Sequence, residues 1–252
     1  MVSYFYTMNK ETLVFGIYPV AEAIKAKNTI DKVYLQKGAS NPKLEHIVKD
    51  LEDTNTTINY VPIEKLDKLC RSNHQGIVAI ISPISFVSLE DIVESALSND
   101  KTPLFLVLDQ ISDVRNFGAI LRTAECTGVS AVIIQKKGGA PISGDTVKTS
   151  AGAIFNIPIC KVDHIKDAIY YLQASGIKTV AATEKTEQTI YDINFKQSTA
   201  IIMGSEGTGV SKSVLHIVDD KASLPLLGKI NSLNVSVACG AFLYEVIRQR
   251  LI

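Results

Sequence analysis

The sequence of 252 residues has no tryptophan, few cysteines and no long uninterrupted apolar run. Apolar stretches such as 104–108 are far shorter than a bilayer span requires. The N-terminus (MVSYFYTMNKET) lacks the basic start and apolar run of a signal peptide. We therefore expect a soluble, cytoplasmic protein with no membrane partner.

Cysteine and histidine are too few and too scattered for a disulfide framework or a metal site. No two cysteines form a CxxC pair; they are Cys70, Cys126, Cys160 and Cys239. Free thiols in a reducing compartment are the natural interpretation. Cys160 and His164 could share a helix entrance, but two ligands do not make a zinc site. We predict no metal.

The chain also lacks an excess of charge of either sign. Its 26 basic residues equal its 26 acidic residues, which argues against a strongly basic nucleic-acid coat but allows a local basic patch. Hydrophobic residues make up 46% and charged residues 21%, as in an ordinary globular protein. Long disordered stretches are not expected.

Strand-like runs alternate with helical patterns along the whole chain, which predicts an α/β protein with a mainly parallel sheet. The first part contains predicted strands at 33–35, 57–61 and 77–81 and predicted helices at 19–27, 42–52 and 63–69. The second part contains predicted strands at 104–108, 131–134, 155–160, 179–182, 200–203 and 222–224, and predicted helices at 116–127 and 233–250. We predict two domains, 1–83 and 102–252, joined by a linker at 84–101 that carries a short helix at 89–97.

The first of three informative segments is NFGAILRTAECTG, residues 116–128. Asn116 is a predicted N-cap, and Gly128 follows the predicted helix as its C′ residue. Arg122 lies within a mostly apolar stretch. Its side chain could extend to solvent or pair with Glu125, or its guanidinium could grip a phosphate or carboxylate.

The second segment, IIMGSEGTGV at 201–210, is a strand that leads into a glycine-rich loop. Gly204, Gly207 and Gly209 permit positive φ and close approach of a ligand to the backbone. The spacing is that of neither a dinucleotide nor a nucleoside-triphosphate fingerprint. Glu206 would repel a polyphosphate but would suit hydroxyl or amino groups.

The third segment, LPLLGKINSLNVSVACGAFLYEVIRQR at 224–250, ends a strand, makes a loop and begins a helix. The helix entrance carries more polar groups than one cap needs: Asn231, Ser232, Asn234 and Ser236. These residues suit either an over-capped helix packed on the sheet or a loop whose backbone N–H groups hold an adenine edge.

Taken together and in this order, the three segments resemble the motifs of the SpoU (TrmH-like) family of the SPOUT superfamily of RNA methyltransferases. The resemblance covers about residues 101–252. It extends more weakly to FGIYPVAEAI and NHQGIVA near the front, which look like the small RNA-binding domain of ribosomal-RNA members. It implies S-adenosylmethionine-dependent methylation of a ribose 2′-hydroxyl, a C-terminal trefoil knot, and a homodimer with the knot region at the interface.

The resemblance also implies roles for particular residues. Cofactor-binding loops would contain Gly204, Leu224 and Leu233. Arg122 would be the catalytic arginine, and the site would be shaped by Asn116, Glu206, Ser232 and Asn234. Because a guanidinium has a pKa above about 12, we interpret Arg122 as a phosphate clamp rather than a base, with a substrate phosphate or water taking the proton.

The two-domain layout favours ribosomal over transfer RNA within this family, and most resembles enzymes that methylate a guanosine of 23S ribosomal RNA. The front domain has no pronounced basic surface, so recognition would depend on shape and on a few lysines: Lys25, Lys27, Lys32 and Lys37. The alternatives are a transfer-RNA methyltransferase, a non-catalytic RNA-binding protein, and a nucleotide-dependent α/β enzyme. Glu206 and the absence of a phosphate-binding lysine in the glycine loop disfavour the last of these.

Overall fold

A computed structural model describes residues 13–39, 41–52, 56–230 and 232–252 of the chain. The chain divides into two compact units. The first comprises Met1–Ser85 with Pro141–Asp145, and the second comprises Phe86–Ala140 with Thr146–Ile252.

The first unit is built on a mixed four-stranded sheet in the order β1-β4-β2-β3. Its strands are β1 (Leu13–Phe15), β2 (Ile30–Gln36), β3 (Thr57–Val61) and β4 (Ile77–Ile81). Its helices are α1 (Ile17–Lys25), α2 (Pro42–Glu52) and α3 (Ile63–Leu69). Strands β2 and β3 are parallel, whereas β4 is antiparallel to both β1 and β2.

Alternation along the strands of this sheet supplies two apolar faces, each covered by helices. Val33 and Leu35 of β2 belong to one buried cluster with residues of α1 and α2, whereas Tyr34 packs against a second cluster around Leu66 of α3. Successive side chains of a strand point to opposite faces, so one short strand serves both layers.

The second unit contains an all-parallel six-stranded sheet in the order β10-β8-β9-β5-β6-β7. The strands are β5 (Leu104–Asp109), β6 (Ala131–Gln135), β7 (Ile159–Val162), β8 (Lys178–Ala182), β9 (Thr199–Gly204) and β10 (Asp220–Ala222). The helices after residue 86 are α4 (Leu89–Asn99), α5 (Val114–Cys126), α6 (Gly144–Thr149), α7 (Ile165–Ala174), α8 (Lys212–Leu215) and α9 (Val235–Arg250). Two 3-10 turns lie at Ala153–Phe155 and Ile190–Asp192.

The central strands β5 and β9 are buried along their whole length, as expected for parallel strands covered on both faces. They are paired so that Asp109 lies opposite Gly204 at their carboxyl ends. The strand order reverses at this pair, since β6 and β7 follow on one side and β8 and β10 lie on the other. Ligands of open α/β sheets bind at the carboxyl ends of strands at such a reversal.

The α/β class and the parallel sheet predicted from the sequence are confirmed, and several element bounds are corrected. Asn116 is not the N-cap of its helix: α5 begins at Val114, and the Asp113 carboxylate caps it by accepting from the Asn116 backbone N–H at 2.8 Å. The predicted strand 155–160 is wrong in its first half, because a 3-10 turn comes first and β7 begins at Ile159, after Pro158. The strand predicted at 222–224 lies two residues earlier.

The segment 84–101 contributes residues to the core of the second unit as well as linking the predicted domains. Val87 donates its backbone N–H to Ile159, and Leu89 and Val93 of α4 are buried in the main core of the second unit. Across the residues that the structure describes, no helix is long and apolar enough to cross a membrane.

Candidate active site

The glycine-rich loop after β9 folds back tightly on the strand end. The Gly209 backbone N–H donates to the Ser205 carbonyl at 2.8 Å, and the Ser205 and Thr208 hydroxyls lie 2.7 Å apart. A Cβ atom on Gly204 would lie only 2.0 Å from the carbonyl carbon of Gly209 and the backbone nitrogen of Val210. Residue 204 must therefore be glycine because the chain's own backbone, rather than a ligand, approaches it.

Positive φ is needed at one glycine of this loop, Gly209, at 68°. Gly207 has open space around its Cα, and its φ is not in the left-handed region. The resulting turn places Glu206 at an exposed position beside the carboxyl ends of β5 and β9.

Asn234 connects the three sequence segments. Its Oδ1 caps α9 by accepting from the Ser236 backbone N–H at 2.9 Å. Its Nδ2 donates to Glu206 Oε1 at 2.7 Å and to Asn116 Oδ1 at 3.0 Å. One amide thus uses its oxygen to start a helix and its nitrogen to hold two side chains from distant parts of the chain.

Asn116 reaches this position because the first two turns of α5 are held in place. Asp113 caps its N-terminus, and Gly118 in its second turn lies so close to Thr149 that an added Cβ would clash with Thr149 Oγ1 at 2.1 Å. Phe117, Ile120 and Leu121 are buried on the opposite side from solvent. Asn116 is therefore half-buried at a rigid helix start, with its amide oxygen available to Asn234.

A cleft of about 390 Å³ lies beside this cluster. All three predicted cofactor-binding residues, Gly204, Leu224 and Leu233, line it, together with Glu206 and Ser232. Asn231, predicted to stand at the same helix entrance, lies outside the described residues. The volume is within the range of ligand pockets, about 300–1,000 Å³.

The lining of this cleft combines apolar side chains with backbone and carboxylate groups. Met203, Leu226 and Phe242 supply apolar surface, whereas the turn 204–209 supplies backbone groups and the Glu206 carboxylate. Such a lining fits a ligand with a flat apolar ring, hydroxyl groups and a positive charge. The glycine turn itself does not suit a polyphosphate, since it contains no lysine and Glu206 would repel phosphate; the lysine of the lining, Lys185, comes from the segment after β8.

A second cleft of about 380 Å³ shares the turn 205–208 and Val235 with the first. Its other wall contains Gln110, Asp113 and Asn116. Gln110 has a φ of 61°, an unusual value for a residue with a side chain, directly after β5. The Glu206–Asn234 contact thus lies close to both clefts.

Arg122 does not join this cluster in the structure. It is exposed, lines neither cleft, and makes no hydrogen bond or ion pair with any described residue. The pairing with Glu125 considered above is absent; Glu125 accepts instead from Asn156 Nδ2 at 3.4 Å. Arg115, seven residues earlier, lies on the same exposed face of α5.

Three site features were not singled out from the sequence. Gln110 and Asp113 line the second cleft, and the segment after β8, including Thr183 and Lys185, lines the first. The available signal was position, because both segments follow strands of the parallel sheet. Asp109 is the last residue of β5, and its role is structural, since it accepts from the Ser211 backbone N–H at 2.8 Å.

Neither metal chemistry nor a cysteine nucleophile is indicated. In the described ranges no group of three His, Cys, Asp or Glu side chains could hold a metal ion. Cys239 on α9 is fully buried, and burial raises the pKa of its thiol to about 12. It therefore stays protonated at neutral pH and is not a nucleophile.

Two known families match this chain, one over each part of the sequence. Residues 103–244 match the SpoU rRNA Methylase family, and residues 13–87 match the family described as "RNA 2'-O ribose methyltransferase substrate binding". A "Putative TrmH family tRNA/rRNA methyltransferase" of Staphylococcus aureus is 35% identical over 96% of this chain and 97% of its own length.

Solved structures show the same likeness. The AdoMet-bound rRNA methyltransferase of Sinorhizobium meliloti is 25% identical, with a TM-score of 0.61 over 94% of this chain and 87% of its own. The TrmH/SpoU tRNA modifying enzyme of A. aeolicus is 29% identical, with a TM-score of 0.55 over 65% of this chain and 82% of its own. The sequence and the fold therefore agree, and the chain belongs to the SpoU family of RNA 2′-O-ribose methyltransferases.

Proposed function

We propose that the protein transfers a methyl group from S-adenosylmethionine to a ribose 2′-hydroxyl, and that its substrate is a guanosine of 23S ribosomal RNA. The observation that carries this proposal is the meeting of Asn116, Glu206 and Asn234 beside two adjoining clefts. Two clefts with a common wall suit a reaction between two bound molecules.

S-adenosylmethionine, when bound, supplies an electrophilic methyl group on a positively charged sulfur. Gly204, Leu224 and Leu233 would hold it in the first cleft, and the apolar wall around Phe242 would exclude water. The Glu206 carboxylate favours a positive charge nearby and disfavours phosphate. The S. meliloti relative is a structure with AdoMet bound, which supports this choice of cofactor.

The second cleft would receive the target nucleoside. Asn116 and Glu206 lie on its wall, and Asn234 holds both of them. Because the three side chains are hydrogen-bonded to one another, little reorganisation is needed before the ribose hydroxyl is aligned. Ser232, which lines the first cleft, would complete the polar rim.

Arg122 would act on the RNA backbone. Its guanidinium is exposed and unpaired within the described residues, so it is available to grip a phosphate of the bound RNA. Arg122→Lys keeps the charge but loses the bidentate fork, and we expect turnover to fall at least tenfold. Arg115→Lys is the matched control on the same helix face. If Arg122→Lys kept near-full turnover at unchanged RNA affinity, Arg122 would not have this role.

We also propose a homodimer and the trefoil knot that the resemblance to the family implies. Its support is an exposed apolar surface around α9 and the loop before it: Leu227 is 100% exposed, Ile230 77% and Val237 58%. Such surface is costly on a monomer and typical of an interface. Light scattering should give twice the 27.4 kDa chain mass. Val237→Glu should shift the protein towards the monomer.

The choice of ribosomal RNA is supported by the share of this chain that aligns with each solved relative. The S. meliloti rRNA methyltransferase aligns with 94% of this chain, whereas the A. aeolicus tRNA modifying enzyme aligns with 65%. The alternative is a transfer-RNA substrate, which the S. aureus relative's description also includes. Mapping ribose methylation in total RNA with and without the protein tests both. A mark lost from 23S RNA supports the proposal, and a mark lost from tRNA overturns the choice of substrate.

A further inference from the structure

The carboxyl end of β2 in the first unit gathers several loops at one edge of the mixed sheet. The Gln36 backbone N–H donates to Gly76 at 2.9 Å, and Gly16 donates to Ile77 at 3.1 Å. The Gln75 side chain accepts from the backbone N–H of Ile17 at 3.0 Å. These bonds bring the start of α1 next to the residues that follow β2.

An exposed tyrosine with a lysine at its hydroxyl end occupies this edge. Tyr18 is 64% exposed in the first turn of α1. Lys43, in the first turn of α2, donates to the Tyr18 hydroxyl, and its Nζ lies 4.6 Å from the ring centroid. This contact lowers the pKa of Tyr18 through hydrogen bonding and charge. The ring therefore presents open aromatic surface with a positive charge at one end.

Two lysines lie at this edge, Lys43 against the Tyr18 ring and Lys37 after β2. One carboxylate, Glu22, follows Tyr18 by one turn of α1 and is paired with Lys25. Lys37 directly follows β2, is exposed, and has no ion-pair partner within the described part of the chain. Glu45 lies two positions after Lys43 on α2, so the two side chains do not face each other. By contrast, Lys25 is neutralised by Glu22 at 2.9 Å, about 10 Å further along α1.

We propose that Tyr18, Lys43 and Lys37 form the RNA-contacting surface of the first unit, where an unpaired base stacks on Tyr18 and the lysines hold its phosphates. Aromatic stacking with adjacent cations is the usual chemistry for single-stranded RNA. This assignment rests on the proposed function and names the part of the chain that selects the substrate. Of the lysines expected from the sequence it keeps Lys37, and it leaves out Lys25 and Lys27, which lie at or just beyond the other end of α1.

The test measures RNA binding directly, by filter binding to 23S ribosomal RNA and to bulk transfer RNA in separate arms, and methylation kinetics in parallel. Tyr18→Ala should weaken binding and raise KM about tenfold while kcat stays within about twofold. Tyr18→Phe keeps the ring and should bind nearly as the wild type does. Lys43→Ala should weaken binding and reduce its salt dependence by about one counterion. Lys25→Ala is the matched control and should change neither quantity.

The outcomes separate the surface from the proposed activity. If Tyr18→Ala and Lys43→Ala both bind RNA as the wild type does, with unchanged melting temperatures, the proposal of an RNA-contacting surface is overturned. Loss of binding in Tyr18→Ala together with no methylation by the wild type supports the surface and overturns the activity. A wild type that binds neither RNA overturns both. A fall in kcat rather than a rise in KM places Tyr18 in a different role and also overturns the proposal.

Discussion

The two sheets of this protein present polar groups at their edges in opposite ways. In the parallel sheet, Asn116, Glu206 and Asn234 are hydrogen-bonded to one another. In the mixed sheet, Tyr18 and Lys37 are exposed, and the Lys43 ammonium donates to the Tyr18 hydroxyl. One edge is organised before any ligand arrives, whereas the other leaves its groups accessible.

This difference follows from what each edge has to do. Methyl transfer requires reacting atoms held within a narrow range of distance and angle, so groups that hold one another reduce the reorganisation needed. Recognition of an irregular RNA tolerates movement of a lysine by several ångströms, because phosphates attract it over that range. We therefore expect substitutions at the first edge to change kcat, and those at the second to change KM.

The largest effect is expected from a substitution that disrupts the carboxyl edge of the parallel sheet. In Gly204→Ala the new Cβ would lie 2.0 Å from two backbone atoms of Gly209 and Val210. Neither atom can move without opening the turn, so we expect a loss of about 3 kcal/mol or more in the free energy of unfolding. Urea denaturation measures it, and calorimetric titration should show lost binding of S-adenosylmethionine.

Gly207→Ala in the same turn is the matched control. No atom lies within 4 Å of its would-be Cβ, and its backbone does not require glycine. We expect its free energy of unfolding to stay within about 0.5 kcal/mol of the wild type. Equal destabilisation by the two substitutions would mean that the turn is not tightly closed.

The next largest effect is expected at Asn234, where two substitutions separate the capping of α9 from the contacts with Asn116 and Glu206. Asn234→Ala removes the α9 cap and the amide that holds Asn116 and Glu206, so stability should fall by about 1 kcal/mol and kcat about 100-fold. Asn234→Asp keeps a capping oxygen but loses the donor and faces the Glu206 carboxylate. Thermal melts and steady-state kinetics should show lost activity in both variants and the loss of the cap mainly in the alanine variant.

If Asn234→Asp turned over as fast as the wild type, the amide contacts would have no part in catalysis. The parallel-sheet edge would then be no more organised for chemistry than the edge that carries Tyr18.

Much of the local structure could be predicted from the sequence because it depends on nearby residues. The run from Pro42 to Glu52 begins with proline and keeps a helical spacing of apolar residues, and its bounds match α2. The α5 cap could not be identified so easily. Asp113 and Asn116 are both good capping residues three positions apart, and the structure shows that the first is used.

The site was predictable as a set of motifs but not as a geometry. Asn234 and Asn116 are 118 residues apart, and only the strand order brings them together. The position of Arg122 could have been anticipated: six residues at about 100° each amount to one full turn plus about 240°, which leaves Arg122 about 120° from Asn116 around α5. Helical geometry therefore predicts that the two side chains leave the helix on different sides, as observed.

A smaller effect is expected at the mixed-sheet edge. Gln75 has a φ of 51° and caps α1, whose N-cap residue Gly16 has no side chain to do so. Gln75→Ala removes the acceptor but keeps the strained backbone, and should cost about 1 kcal/mol. Gln75→Gly removes the acceptor and relieves the strain, so it should cost less. Hydrogen exchange of the α1 amides, followed by mass spectrometry, distinguishes the two variants; identical exchange would show that backbone strain at Gln75 has no energetic weight.

The smallest effect is expected in an experiment on the unmutated protein. It compares the two units by the rates at which their cysteine thiols react. Cys126 is exposed and should react with a thiol reagent first. Cys70 is 9% exposed in a small cluster of the first unit, whereas Cys239 is fully buried in the second. With a pKa of about 12 each, the thiols of Cys239 and Cys160 are ionised to about one part in ten thousand at pH 8, so these two should react last. Because α9 lines the first cleft, S-adenosylmethionine should slow Cys239 further by stabilising the folded second unit, and should leave Cys70 unchanged. Equal slowing of both cysteines would show that the two units unfold together. The difference between the two sheet edges would then be a difference within one cooperatively folding structure.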